Sequence, residues 1–67
     1  MYMHVMSLDV GYDVLNRILE LHFLLSGHVW QLYNVPEMVW YEIRKSGLAQ
    51  LAVIADIIGI YPAKRIV

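Results

Sequence analysis

The amino-acid sequence predicts a small all-α domain of three helices that completes its core by associating with a second chain. The chain has 67 residues, which is enough for one domain at most. Hydrophobic residues make up 60% of it and charged residues 16%, so it is more apolar than an ordinary soluble domain. Its apolar residues also recur at helical spacing between plausible helix starts and stops.

The first helix is predicted over about residues 9–26. Asp9 and Asp13 would favour its N-terminal end, where the helix dipole is positive, and Ser26-Gly27 would end it. Residues 1–8 are predicted to be a short strand or a docked arm. One broad face of the helix is predicted from the spacing of Val14, Leu15, Ile18, Leu19, His22 and Leu25.

The second helix is predicted over about residues 35–46 and the third over about residues 48–58. Asn34 is a suitable cap for the second helix, Pro36 suits its first turn, and Glu37 can reach back to the cap. Gly59 would end the third helix, and Pro62 cannot continue it.

The third helix is predicted to supply most of an interaction surface, because it is apolar nearly all round. Its small residues allow another helix to approach closely. Aromatic residues near the Asn34–Pro36 turn would add to this surface, since aromatic side chains contribute strongly at interfaces. The candidate interaction residues are Trp30, Tyr33, Trp40, Leu48, Leu51, Ala52 and Ala55.

A partner is expected because a domain of this size buries only about 60% of the surface of its unfolded chain. The sequence has no cysteine, so a disulfide cannot compensate. Residues 1–42 carry five acidic residues and one basic residue (−4), and residues 43–67 carry four basic residues and one acidic residue (+3). The expected partner is a copy of the chain, as a homodimer or higher oligomer, or a larger protein.

A membrane-associated protein is a second alternative, because the eighteen residues 46–63 contain a single charge, Asp56. A charged side chain at the centre of a bilayer costs about 2.5–3.5 kcal/mol on insertion scales. Gly47 and Pro62 would also shorten the helix to roughly eleven residues, well below the ~20 that a span requires. These features disfavour a membrane span.

A nucleic-acid-binding regulator is the first alternative. The stretch IADIIGIYPAKRIV resembles the front half of a helix-turn-helix, with Ala55, then Gly59 four residues later, and Pro62 in the first turn of a following helix. It is also similar to a helix-hairpin-helix at Gly59-Ile60-Tyr61. The resemblance implies a small dimeric regulator in which Lys64 and Arg65 contact phosphates. The net charge of −1 favours the protein-binding interpretation.

The sequence indicates no enzyme active site, metal site or cofactor site. His4, His22 and His28 are the metal candidates, but none of them has the i, i+3 or i, i+4 spacing that places two ligands on one helix face. Ser26 precedes Gly27-His28 without the surroundings of a nucleophile elbow. The start MYMHVMSLD lacks the basic region of a signal peptide, so a cytoplasmic location is expected. The predicted function is a non-enzymatic interaction module.

Overall fold

The computed structural model describes residues 8–67, except for the side chain of Leu48. The strand or arm predicted at residues 1–8 therefore lies outside the described residues, apart from Leu8. In residues 8–67 the chain forms an α+β fold of four strands and two helices. The elements are β1 (Leu8–Asp13), β2 (Ile18–Phe23), β3 (His28–Leu32), α1 (Glu37–Lys45), a 3₁₀ turn (Gly47–Ala49), α2 (Gln50–Ile58) and β4 (Ala63–Arg65).

The strands form one antiparallel sheet in the order β1-β2-β3-β4. Leu19 pairs with Tyr12 on one side and with Leu32 on the other, so these residues share one face. Both helices pack on this face, which we call the core face. Glu20 and Gln31 pair with each other on the opposite, open face of the sheet. The buried core within residues 8–67 consists of Leu19, Leu21, Leu32, Val35, Ile43, Ile54 and Ile57.

The predicted all-α class and helical bundle are wrong, because residues 9–26 form β1, β2 and the turns that follow them. Within β2, Leu19 and Leu21 are buried, whereas Glu20 and His22 lie on the open face. This alternation has the period of two that a half-buried strand requires. The predicted helix face placed Leu19 and His22 together, and the structure separates them onto opposite faces.

The turn between β1 and β2 is held by the Asp13 side chain. Its carboxylate accepts hydrogen bonds from the backbone N–H groups of Leu15 and Asn16, at 3.0 and 3.2 Å, and from the Asn16 amide at 2.8 Å. These bonds to the charged form lower the pKa of Asp13, the Asn16 side chain contributing most. The bonds of Asp13 with its own following backbone are typical of a turn rather than a helix start.

The second and third predicted helices are present with shorter bounds. The N-terminus of α1 lies at Pro36, and Asn34, the predicted cap, instead adopts a left-handed φ of 60° before it. The nine residues of α2 bury only Ile54 and Ile57. Most of the remaining surface of α2 is exposed in the single chain, so the predicted burial of the third helix against a second chain stays a prediction. Within residues 8–67, the structure shows no helix that is long and apolar enough to cross a membrane.

We expect Gly11→Ala to raise the free energy of unfolding by about 0.5–1 kcal/mol, because alanine loses less conformational freedom on folding. Gly11 has no positive φ, and a Cβ built there meets no described atom within 4 Å. Gly27→Ala is the matched control: a Cβ there meets equally open space among the described atoms, but φ is +77°. It should destabilise the chain. Urea denaturation measures the free energy of unfolding of both variants. A change of the same sign in the two variants would contradict the explanation from backbone conformation.

Candidate interaction surface

An exposed apolar stripe runs along the outer side of α2. Leu51 is 41% exposed and Ile58 is 46% exposed, and the exposed Ala55 lies between them. These residues are spaced i, i+4, i+7, so they share one side of the helix. With the neighbouring exposed Ala52 they form what we call the α2 stripe: Leu51, Ala52, Ala55 and Ile58.

The stripe ends at an apolar groove on the core face of the sheet. The groove has a volume of about 130 Å³. Trp30, which pairs with Leu21 in the sheet, is 36% exposed there. Ile58 belongs both to the α2 stripe and to the groove, so the two form one continuous apolar surface. The residues that line the groove are Leu21, Phe23, Trp30, Leu32, Ile58 and Ala63.

The turn between β2 and β3 carries two exposed leucines. It follows Phe23 directly and carries Leu24, 55% exposed, and Leu25, 85% exposed. Single exposed apolar residues are normal on a protein surface. A contiguous patch of exposed apolar residues is less usual, and such patches often mark interaction sites.

Trp40, one of the predicted interaction residues, packs against the edge strand of the sheet. Its ring stacks on that of Tyr12, with centroids 5.9 Å apart and an angle of 16° between the planes. The Arg44 guanidinium lies over the same ring at 5.6 Å, within the range of a cation–π contact. Tyr12 donates a hydrogen bond to the carbonyl of Val35, and desolvation raises its pKa. This stack ties α1 to the edge of the sheet.

Tyr33 belongs to a polar network on the open face of the sheet. Its hydroxyl donates to Gln31 Oε1 at 2.9 Å, and Gln31 Nε2 donates to Glu20 Oε2 at 2.8 Å. The other carboxylate oxygen of Glu20 lies 2.7 Å from His22 Nε2. These hydrogen bonds lower the pKa of Glu20, the His22 bond most strongly. The four side chains therefore form one connected hydrogen-bonded network.

The structure therefore divides the predicted interaction residues among three places. Leu51, Ala52 and Ala55 lie together on the α2 stripe, and Trp30 lies in the groove that adjoins it. Trp40 and Tyr33 lie elsewhere, so the expected aromatic patch around residues 34–36 does not form. The side chain of Leu48 lies outside the described part of the chain.

Lys64 and Arg65 are separated by the strand in which they lie. In β4, Lys64 pairs with Gln31 on the open face and Arg65 pairs with Trp30 on the core face. The residues that follow Gly59 form a turn and β4, where a helix-turn-helix would place its recognition helix. The geometry implied by that resemblance is therefore not present in residues 55–67.

The lining of the groove includes residues that the sequence analysis did not select. Phe23 and Leu21 would have been found from the period of two in ILELHF, residues 18–23, which places both on the face of Leu19. No local sequence pattern identifies Ala63, because it lies beside Leu32 only through the pairing of β3 with β4. Among residues 8–67, no three His, Asp or Glu side chains converge in a way that could hold a metal ion.

Comparison with known proteins identifies the family of the chain. Residues 6–49 match the model of the KTSC domain, which is 44 of the 67 residues. The chain therefore belongs to the KTSC domain family. The matched segment includes β1 to β3 and α1, whereas Ile58, Ala63 and Arg65 follow it. No curated protein matches the chain.

The charged form of Glu20 should stabilise the fold in a pH-dependent way. Because its folded pKa is below the ordinary value of 4.5, its contribution is fully present above that value and is lost as the pH falls through the lowered pKa. We expect wild type to have a higher urea midpoint than Glu20→Gln at about pH 7, and the gap to close towards about pH 3. Glu20→Gln retains Asp13, so Asp13 titrates in both proteins. A gap that is constant with pH would contradict the prediction.

Proposed function

We propose that this chain is a non-enzymatic interaction module that binds a protein partner through the α2 stripe and the apolar groove. The observation that carries the proposal is the continuity of the two: Ile58 belongs to both, and the exposed apolar surface runs from Leu51 to Trp30 without a charged lining residue. The partner is a copy of the chain or a larger protein.

The exposed fractions indicate how the two parts of the surface would share the binding energy. Fully burying a Leu, Ile or Phe side chain contributes about 1.5–3 kcal/mol. Leu51, Ile58 and Trp30 are already more than half buried, so covering them adds about half of that each or less. Association costs at least about 4 kcal/mol. The stripe alone would therefore support only weak binding, and the groove would have to accept a side chain from the partner.

The proposal assigns no catalytic role to Ser26, the serine nearest to a histidine in the sequence. Ser26 Oγ donates to the carbonyl of Phe23 at 3.4 Å and accepts from the backbone N–H of His28 at 3.2 Å. Both partners are backbone groups of the strand ends that flank the β2–β3 turn. Ser26 therefore has the hydrogen bonding of a turn residue rather than that of a nucleophile with an adjacent base.

The proposal can be tested by placing a photo-crosslinking amino acid at residue 55 in cells that make the protein. We expect a crosslinked adduct of higher mass, because Ala55 lies at the centre of the α2 stripe. Residue 38 is the matched control, since Met38 is an exposed apolar residue (73%) on the other helix. Light scattering on the purified protein over a dilution series then shows whether the partner is a copy of the chain.

Two results would contradict the proposal. One is the absence of an adduct from residue 55 in a protein that circular dichroism shows to be folded. The other is the same set of adducts from residues 55 and 38, which would mean that the contact is not specific to the stripe. Leu51→Glu provides a second check, because it should reduce the adduct from residue 55, whereas Met38→Glu should leave it unchanged.

A further inference from the structure

We infer that the groove binds an acidic peptide segment of a partner protein, which inserts one leucine- or phenylalanine-sized side chain beside a carboxylate. The inference rests on the proposed function and specifies the chemistry of the partner. Three features of the structure carry it: the size of the groove, the Arg65 cation at its rim, and the placement of the Asp and Glu side chains of residues 8–67 away from it.

The volume of the groove matches one large apolar side chain. At about 130 Å³ it is close to an apolar cavity of about 150 Å³, which is large enough for a benzene molecule. Its walls come from the side chains of three strands and one helix, and all of them are apolar. A second large side chain would not fit, so the partner would insert a single anchor.

The rim of the groove at the end of the sheet carries two nitrogen-bearing side chains. Arg65 pairs across the sheet with Trp30, and His28 pairs with Phe23, so both lie on the core face beside groove residues. Arg65 Nη1 lies 3.5 Å from His28 Nε2. Arg65 is exposed and forms no ion pair with any residue in the range 8–67. Its guanidinium can therefore bind a carboxylate with two parallel hydrogen bonds.

The Asp and Glu side chains of residues 8–67 lie away from the groove. Asp9 and Glu20 are on the open face of the sheet, and Asp13 holds the β1–β2 turn. Asp56 lies roughly 160° around the α2 axis from Ile58, at 100° per residue. The other two, Glu37 and Glu42, belong to α1. Among the charged side chains of residues 8–67, the one placed beside the groove is therefore the cation Arg65, which favours an anionic segment over a neutral or basic one.

The same charge distribution disfavours a symmetric dimer through the groove. In a two-fold dimer each patch contacts its own copy, so both Arg65 side chains would belong to one interface to which the groove contributes no acidic side chain. Like charges brought together at an interface oppose association. An acidic segment of another protein can fill the groove and also pair with Arg65. A second copy of the chain can fill the groove but leaves Arg65 without a carboxylate partner from it.

Titration of the isotope-labelled full chain with short capped peptides, followed by NMR, tests the inference. The first peptide carries one leucine flanked by glutamates, the second has lysines in place of the glutamates, and the third has serine in place of the leucine. We expect the first peptide to shift the indole N–H signal of Trp30 and the methyl signal of Ala63. The second peptide should bind roughly two- to five-fold more weakly than the first, which is the range for one exposed ion pair. The third peptide should produce no shift.

Two variants locate the contacts. Arg65→Glu should reverse the preference, so that the lysine peptide binds more tightly than the glutamate peptide. Ala63→Leu should fill the groove and abolish the shifts from both peptides. Lys64→Glu is the matched control for Arg65→Glu, because Lys64 is the adjacent basic residue on the opposite face. It should leave the preference for glutamate in place.

Several outcomes would overturn the inference. Equal binding of the glutamate and lysine peptides would show that Arg65 does not select an acidic segment. Shifts with the serine peptide would show that binding does not require the leucine anchor. Shifts of Trp30 and Ala63 on concentrating the protein without peptide would assign the groove to a second copy. The absence of any shift would also overturn it, whereas the proposed function is decided separately by the crosslink from residue 55. That crosslink forms with any partner that covers the α2 stripe, whatever the charge of the segment that enters the groove.

Discussion

The architecture depends on one constraint: two short helices have to cover one face of the sheet. A helix of nine residues is about 14 Å long, whereas a strand of six residues extends about 20 Å. The helices bury the end of the sheet near Leu19, Leu32 and Val35 almost completely, while Trp30 at the other end is left 36% exposed. The incomplete cover creates the groove, and it leaves the apolar side of α2 next to it. The open face needs no cover, because its polar side chains bond to one another.

The two faces of the sheet consequently have different chemistry. The open face holds the network from Glu20 to Tyr33, in which the charged form of Glu20 is stabilised by two side-chain hydrogen bonds. The core face beyond the helices presents apolar side chains and Arg65. The groove shares Leu21 and Leu32 with the buried core, whereas Trp30 and Ile58 in its lining are partly exposed. The Tyr12–Trp40 stack, by contrast, ties α1 to the far edge of the sheet.

The helices could be predicted from the sequence, whereas the strands were missed for a physical reason. The signals around α1 and α2 are local, because Pro36, Gly47 and Gly59 bound the helices through their own backbone preferences. Residues 9–26 contain enough apolar residues to satisfy a helical spacing as well as the alternation seen in ILELHF. Gly27 suits the end of a helix and also a hairpin turn with positive φ, so it could not distinguish the two. The tertiary pairing of β2 with β1 and β3 decides the conformation, and no local pattern contains that pairing.

The same distinction applies to the interaction surface. Leu51, Ala52 and Ala55 could be predicted because their shared side follows from helix geometry alone. The groove could not, because it requires the register that places Ala63 beside Leu32 and Arg65 beside Trp30. Trp40 was selected as an aromatic residue in an apolar chain, but its environment is set by Tyr12 and Arg44, which are distant from each other in the sequence.

The position of β4 has a consequence for the order in which the surface assembles. β1, β2 and β3 are joined by short turns, whereas β4 pairs with β3 only after both helices have intervened. Contacts between distant segments form late, because a longer loop has to close first. β4 is also only three residues long, and all three residues are exposed. Exposed elements with few buried contacts open most readily in native proteins. We therefore expect the wall of the groove formed by Ala63, and Arg65 beside it, to be the last part to fold and the first to open. A bound segment that contacts both would hold the final strand in place and slow amide hydrogen exchange there.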